Sequence, residues 1–279
     1  MDLDRIENIL GALVQHGPFN DRAYMMKLGE ARPDQIAGRL IELGGQNGYT
    51  KIFAKVPEPA AEAFKDAGYR LEAFIPGFYP GGLGGCFLGY YLDDERGKAG
   101  NQGELEEILD IARGKSRASA PRTLADGFTL APCTEDDVEE MAIVYKVVFP
   151  TYPFPIHDPG YLKETMLDNV KYFKVTQEQR IVALSSAEID RAGGNVEMTD
   201  FATLPDFRGH SFGIHLLKTM EAAMVQEGIP MAYTIARAVS AGMNVTFARG
   251  GYQYGGRLIN NTNISGSIES MNIWYRPLN

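Results

Sequence analysis

The 279-residue sequence predicts an α/β fold of the α+β kind, a mixed central sheet flanked by helices, preceded by a half-domain of similar build. Three observations predict it. Strand-like and helix-like stretches alternate from Phe128 to the C-terminus. Residues 195–216, NVEMTDFATLPDFRGHSFGIHL, read as a strand, a Pro-marked turn, a Gly-containing loop and a long helix. The order strand, helix, Gly-Tyr, strand, strand occurs twice, once in each half.

In the first half, Leu3, Ile6, Ile9, Leu10 and Leu13 have helical spacing, which predicts a helix over 2–16. A strand fits 23–28. Pro33 opens a helix over 34–44 that stops at Gly44-Gly45. YTKIFAKV, 49–56, alternates as a strand does. A helix over 58–67 stops at Gly68, and strands fit 69–76 and 86–92 around a Gly-rich turn. Residues 93–126 are charged and rich in small residues, a connector with one amphipathic stretch at 104–113.

In the second half, a strand fits 128–131. Thr134 followed by Glu135, Asp136 and Asp137 marks a helix start, since a hydroxyl cap and early acids suit the positive helix end. That helix runs to Val148. FPTYPFPI, 149–156, breaks it, because prolines cannot continue a helix. A helix over 159–168 follows, then strands at 171–176, 180–190 and 195–203. A helix over 209–227, a strand at 231–237, a helix over 240–249 and strands at 251–260 and 268–275 complete the chain. The echo pairs YTKIFAKV with YTIARAV at 233–239, and Phe64-x-x-x-Gly68-Tyr69 with Phe247-x-x-x-Gly251-Tyr252. A duplicated half-domain whose first copy has drifted explains both order and spacing. The expected division is 1–125, the degenerate half plus connector, and 126–279.

Composition narrows the function. Hydrophobic residues make up 44% and charged residues 23%, as in globular proteins with a sizeable core. A net charge of −9 argues against nucleic acid and anionic membranes as partners, and it suits a small cationic substrate. Cys86 and Cys133 form no disulfide framework, and no ligand spacing implies a metal. Neither a leader pattern nor a run of the ~18 apolar residues that span a bilayer is present, so a cytoplasmic location is expected.

The loop at 204–213 carries the chemistry. A helix N-terminus exposes unpaired N–H groups and the positive end of its dipole, which together hold an anion such as pyrophosphate. Arg208 adds charge, and Gly209 and Gly213 let backbone approach phosphate closely. There is no GxGxxG after a strand and no P-loop Lys. Arg208-Gly209-His210-Ser211-Phe212-Gly213 resembles the acyl-CoA signature of the GNAT superfamily of N-acyltransferases, Arg/Gln-x-x-Gly-x-Gly/Ala, with Ser211 in place of the middle glycine. The element order from 128 to 276 is similar as well. Thr199-Asp200-Phe201-Ala202-Thr203, Tyr233-Thr234-Ile235-Ala236-Arg237-Ala238, Asn260-Asn261-Thr262-Asn263-Ile264-Ser265-Gly266, Ile268-Glu269-Ser270-Met271-Asn272 and Asn47 to Pro57 resemble β-lysine N-acetyltransferases across both halves.

The resemblance implies acetyl transfer from the cosubstrate acetyl-CoA to the ε-amine of β-lysine, giving a compatible solute. It places the cofactor on Phe201, Thr203, Leu204, Arg208, Gly209, His210, Ser211, Phe212, Gly213, Asn244 and Phe247. Amine attack needs a base, and Glu197 on the strand entering the loop is the candidate. Asp200 competes; three residues apart, the two point to opposite faces of a strand unless a bulge intervenes. A backbone N–H at Thr203–Leu204 is the expected oxyanion donor. Many GNAT enzymes protonate the departing thiolate with a tyrosine where this chain has Phe247, leaving Tyr233, Tyr252 or Tyr254 as stand-ins. Tyr152 and Phe154 would wall the amine channel. Asn260, Asn261 and Asn263 would hold its carboxylate and Glu269 its ammonium, although a polar hairpin loop accounts for 260–270 equally well. Rival readings are an acetyltransferase for another small amine and a non-catalytic acetyl-CoA sensor; a homodimer is compatible with the sequence.

Overall fold

The computed structural model describes residues 4–116 and 123–278. The chain opens with a hairpin, β1 (Arg5–Ile9) and β2 (Ala12–Gly17), where the helix over 2–16 was expected; residues 2 and 3 of that span lie outside the described residues. Leu10 and Gly11 join the strands at φ +51° and +93°, the doubly positive turn whose twist matches a hairpin. Pairing of β2 with β3 (Arg22–Lys27) buries Ala12 and Val14 with period two, and this overrides the helical spacing.

The first half continues with α1 (Pro33–Asn47), β4 (Lys51–Pro57), α2 (Ala61–Asp66), β5 (Arg70–Tyr79) and β6 (Leu83–Tyr91). Helix α1 begins on Pro33, whose missing N–H has no partner at a helix start, and ends on Gly48 in the left-handed region. The connector contains α3 (Gln102–Gly114), and its Leu109 and Ala112 bury in the core of the second half.

The second half comprises β7 (Phe128–Pro132), α4 (Val138–Val148), α5 (Pro159–Asp168), β8 (Val170–Gln177), β9 (Arg180–Asp190) and β10 (Asn195–Thr203). It ends with α6 (Phe212–Gln226), β11 (Met231–Arg237), α7 (Ala241–Arg249), β12 (Gln253–Ile264) and β13 (Ser267–Pro277). Thr134 and Asp137 close a reciprocal capping box before α4.

The 13 strands among the described residues form one sheet, β1-β2-β3-β4-β6-β5-β12-β13-β11-β10-β9-β8-β7. Its two halves repeat one another. Strands β3 and β4 are parallel with α1 between them, as β10 and β11 are with α6 between them. Each parallel pair leads into a short helix and two antiparallel strands. Gly68 and Gly251 both adopt positive φ ahead of the strand after that helix, as the echo implies. The echo slips in its first part: Tyr49 precedes β4, whereas Tyr233 lies inside β11.

At the seam, β5 and β12 pair only through Ala73 and Gly256. Side chains do the rest. Lys51 Nζ donates to Glu72 Oε2 at 2.9 Å and to the Ile259 carbonyl at 2.6 Å, while Glu72 Oε1 accepts the Ile259 N–H at 2.9 Å. Arg96 Nε donates to the Asn260 carbonyl at 2.7 Å, and the Asn260 amide donates back to the carbonyls of Arg96 and Lys98. Asn263 binds Asn20 Oδ1 through its N–H at 2.8 Å and the Phe19 carbonyl through its amide at 2.7 Å.

Gly256 is indispensable to this seam. Its φ is +143°, and a Cβ there would stand 2.3 Å from the Glu72 carbonyl oxygen and 2.6 Å from Ala73 Cα, both backbone atoms. Gly256→Ala is expected to cost about 3 kcal/mol in urea unfolding, because no flexible side chain can yield. A loss under about 0.5 kcal/mol would mean that the halves part without penalty.

Candidate active site

Strands β10 and β11 pair only where Asn195, Val196 and Glu197 face Met231, Ala232 and Tyr233. Past that point they diverge. The opening becomes a cavity of about 610 Å³ between the halves, with α6 and α7 on one side and β3 and β4 on the other.

The loop before α6 lines one end. Pro205–Phe207 makes a tight turn, Gly209 adopts φ +89°, and Ser211 adopts φ +61° as the residue capping the helix. The N–H groups of Gly209, His210 and Ser211 have no backbone acceptor among the described residues. Those of Phe212 and Gly213 begin the helix and have none within it. The result is a concave run of N–H groups at the positive end of a helix, which fits a phosphate anion. The Ser211 side chain makes no cap bond, and the residue lines the cavity. A Cβ on Gly213 would touch Thr246 at 3.6 Å and narrow the groove between α6 and α7. His210 stacks on Phe212, with centroids 5.3 Å apart.

The carboxylates converge at the point of divergence. Glu188 on β9, Glu197 on β10 and Tyr233 on β11 are in register across three strands. Glu197 is half-buried at the cavity floor, and Glu188 reaches solvent through the cavity. Removal from water pushes Glu197 up to about 7, and the neighbouring Glu188 adds to this, while Lys55 and the Tyr233 hydroxyl pull the other way. Desolvation raises Glu188 too, with Lys55 again opposing. Lys55 Nζ donates to the Tyr233 hydroxyl at 3.1 Å.

Asp200 shares the same cavity. A β-bulge between Thr199 and Ala202 puts Asp200 at φ +54° and resets the alternation, so Glu197 and Asp200 face one space despite their three-residue spacing. Asp200 accepts from the Tyr152 hydroxyl, and from Ser186 Oγ at 2.5 Å. Loss of water raises its pKa against these bonds. With a longer bond from Thr199 Oγ1 at 3.4 Å, three committed hydrogen bonds make Asp200 the weaker base candidate.

Phe201, Thr203, Arg208, residues 209–213 and Phe247 line the cavity, as do Tyr152, Phe154 and Asn261. Five expected residues do not. Leu204 packs in the core, and its N–H donates to the Val182 carbonyl at 3.0 Å, so it is not a free oxyanion donor. Asn244 is fully buried, its Oδ1 accepting from Trp274 Nε1 and Asn272 and its amide donating to the Arg237 and Ser240 carbonyls. Asn260 and Asn263 serve the seam, and Glu269 forms a bidentate pair with Arg237 at 2.8 and 2.6 Å. Of the three stand-in tyrosines, only Tyr233 lines the cavity. Residues 260–270 form no loop: β12 and β13 extend through them to a tight turn at Ser265-Gly266.

Arg22, Tyr24, Phe53 and Lys55, all from the first half, also line the cavity. Sequence reasoning missed them because that half carries no phosphate loop. Its one signal was a lysine at every fourth place of an otherwise apolar strand: Lys51 and Lys55 are both buried. Among the described residues no cluster could hold a metal, and no helix is long and apolar enough to cross a membrane.

Residues 139–244 match the model of the Acetyltransferase (GNAT) family. The chain is 38% identical over 275 residues to the β-lysine N(6)-acetyltransferase of Methanococcus maripaludis, covering 98% of this chain and 99% of the relative. It is 33% identical over 267 residues to the β-lysine N(6)-acetyltransferase of Methanosarcina mazei, covering 88% of this chain and 98% of the relative. N-acetyltransferase YodP of Bacillus subtilis is 33% identical over 274 residues, 96% of each chain. Matches of this length include the first half of the chain.

The shift at Glu197 has a stability consequence. Folded, the carboxyl keeps its proton to about pH 7; unfolded, it loses it near 4.5. The folded state therefore holds the extra proton between these values, and stability falls as pH rises across them. Glu197→Gln is expected to match the parent near pH 4 and to exceed it by about 3 kcal/mol above pH 7, measured as denaturant midpoints. An offset independent of pH would contradict the raised pKa.

Proposed function

Because this chain belongs to the GNAT acetyltransferase family, with β-lysine N(6)-acetyltransferases among its full-length relatives, we propose that it moves an acetyl group from acetyl-CoA to the ε-amine of β-lysine. The observation that carries the reading is Glu197, held at a pKa near neutrality where β10 and β11 part, within one cavity with the N–H cradle of α6.

Bound acetyl-CoA supplies the activated acetyl group. Arg208 and the N–H groups of residues 209–213 hold its pyrophosphate. The facing edges of β10 and β11, which no longer pair with each other past Glu197 and Tyr233, offer backbone groups to its pantetheine amides. Glu197 takes a proton from the acceptor ammonium, which frees the nitrogen lone pair for attack; a base with a pKa near the working pH suits this step. Glu188 and Asp200 favour a cationic acceptor in the same space. Asp200 and Phe201 have no cross-strand partner on β9, so N–H groups of this bulge take the oxyanion role in place of Leu204. Phe247 packs edge-on against Phe201 and has no proton to give. A thiol with a pKa of about 8.5 leaves readily as thiolate without help.

Release of free CoA thiol, with β-lysine, α-lysine and spermidine as separate acceptors, tests the reading. β-Lysine is expected to lead the others by at least about tenfold in kcat/KM. Release with none of them, alongside acetyl-CoA binding, would favour a non-catalytic sensor, the reading that Phe247 suggests. Glu197→Gln should lower kcat by roughly 10²–10⁴-fold. In the parent, kcat/KM should rise with pH through about 7 as Glu197 ionises, and the variant should lose that rise. A limb that persists in the variant would move the base to another group.

A further inference from the structure

Arg22 is a buried cation with half of its hydrogen-bonding edge unused. It stands on β3, 4% exposed, with its guanidinium carbon 5.1 Å from the centre of the Tyr24 ring. Both of its hydrogen bonds leave from Nη1, to the Asn261 carbonyl and to Thr262 Oγ1 at 3.1 Å. Nε is buried without an acceptor, and no bond leaves Nη2 among the described residues. No carboxylate lies within ion-pair distance among those residues either. Arg96 shows the satisfied alternative: also buried, it is paired with Asp21 and bonded to Asn20, Thr50 and Asn260.

The unused Nε–Nη2 edge is the side of a guanidinium that grips a carboxylate through two parallel N–H···O bonds. A buried charge is unfavourable without an opposite charge, and a ligand can bring one. A second orphan lies beside it: Asn261 Oδ1, an acceptor, is buried without a donor. Arg22 and Asn261 both line the cavity. An unmet anion-binding donor next to an unmet acceptor matches the zwitterionic end of an amino acid.

The strand register gives the reach. Arg22 pairs with Lys51 and Tyr24 with Phe53 on parallel strands. Lys55 lies four residues beyond Lys51, roughly 13 Å along the strand, and its ammonium meets Tyr233 next to Glu197. Arg22 therefore sits toward the end of the cavity away from the base, with Tyr24 and Phe53 between. A six-bond chain from a carboxylate carbon to a terminal amine spans roughly 8 Å when extended, and the Arg22 and Glu197 side chains close the remainder.

We propose that Arg22 binds the carboxylate of the amino-acid acceptor side-on, and that Asn261 Oδ1 takes the ammonium nearest that carboxylate. This rests on the acetyltransferase reading and makes the first half a specificity element. A polyamine would set a second cation against the guanidinium, so the same residue selects against polyamines.

The test compares the parent, Arg22→Met and Arg22→Lys. Each is assayed for CoA release with β-lysine and with 1,4-diaminopentane, its carboxylate-free counterpart. Arg22→Met is expected to raise the KM for β-lysine roughly 30–100-fold, with kcat moving less, and to lower the preference for β-lysine over the diamine by a similar factor. Arg22→Lys should recover part of it, and it serves alone if the methionine variant does not fold. Equal acetyl-CoA affinity in calorimetry shows that the fold is intact. An unchanged preference overturns the proposal. If the parent releases no CoA with β-lysine, the acetyltransferase reading for that amine fails separately. Calorimetry with 6-aminohexanoate then decides the carboxylate site: weaker binding to Arg22→Met than to the parent supports it, and equal or absent binding to both overturns it.

Discussion

The backbone of residues 259–263 depends on side chains from the other half of the protein, and the cavity depends on that arrangement. Against β13, three residues of β12 bulge out between Leu258 and Thr262, and strand pairing cannot satisfy them. Lys51 and Glu72 supply the missing partners of Ile259, Arg96 that of Asn260 and Arg22 that of Asn261. Lys51 and Glu72 are 0% and 5% exposed, so leaving either alone would strand a buried charge. Such a seam contributes geometric specificity more than net stability, because desolvation offsets most of the attraction. It fixes β3 and β4 over the opening between β10 and β11. One face of the cavity is then built by each half.

That construction explains the electrostatics. A carboxylate on an exposed strand would titrate in the ordinary range. Here Glu197 stands in register with Glu188, under a roof supplied by Tyr24, Phe53 and Lys55. Restricted water and the second carboxylate raise its pKa, and Lys55 limits the rise so that ionisation near neutrality remains accessible. The two glutamates titrate as a pair, with Lys55 and the Tyr233 hydroxyl beside them. Remote sequence positions thus meet through the seam, and the first half places Tyr24, Phe53 and Lys55 in the same cavity as Glu197.

Much of this was legible in the chain. The element order of the second half, the phosphate loop and the position of Glu197 follow from local patterns whose causes are local: capping residues, turn prolines, strand alternation and the backbone freedom of Gly209. Other features were not legible. Spacing of apolar residues over 2–16 suits a helix as well as a strand, and only the neighbouring β3 selects the hairpin. Asn260 and Asn263 belong to a polar run that suits a ligand loop, yet their partners lie some 160 to 245 residues away in sequence. Asn244 looks available at a helix start, but Trp274 and Asn272 consume its amide. The bulge that turns Asp200 toward Glu197 arises from mispairing with β9, which no single strand records.

The sequence by itself determined the elements of the second half, the glycine-bearing loop before α6 and the carboxylate on the strand that enters it, because each depends on residues within a few positions of one another. Tertiary structure alone decided which side chains share the cavity. Burial, register and the satisfaction of buried polar groups are set by contacts between strands far apart in the chain. Arg22, Lys55 and Glu197 become one site only when the two half-sheets close over the place where β10 and β11 part.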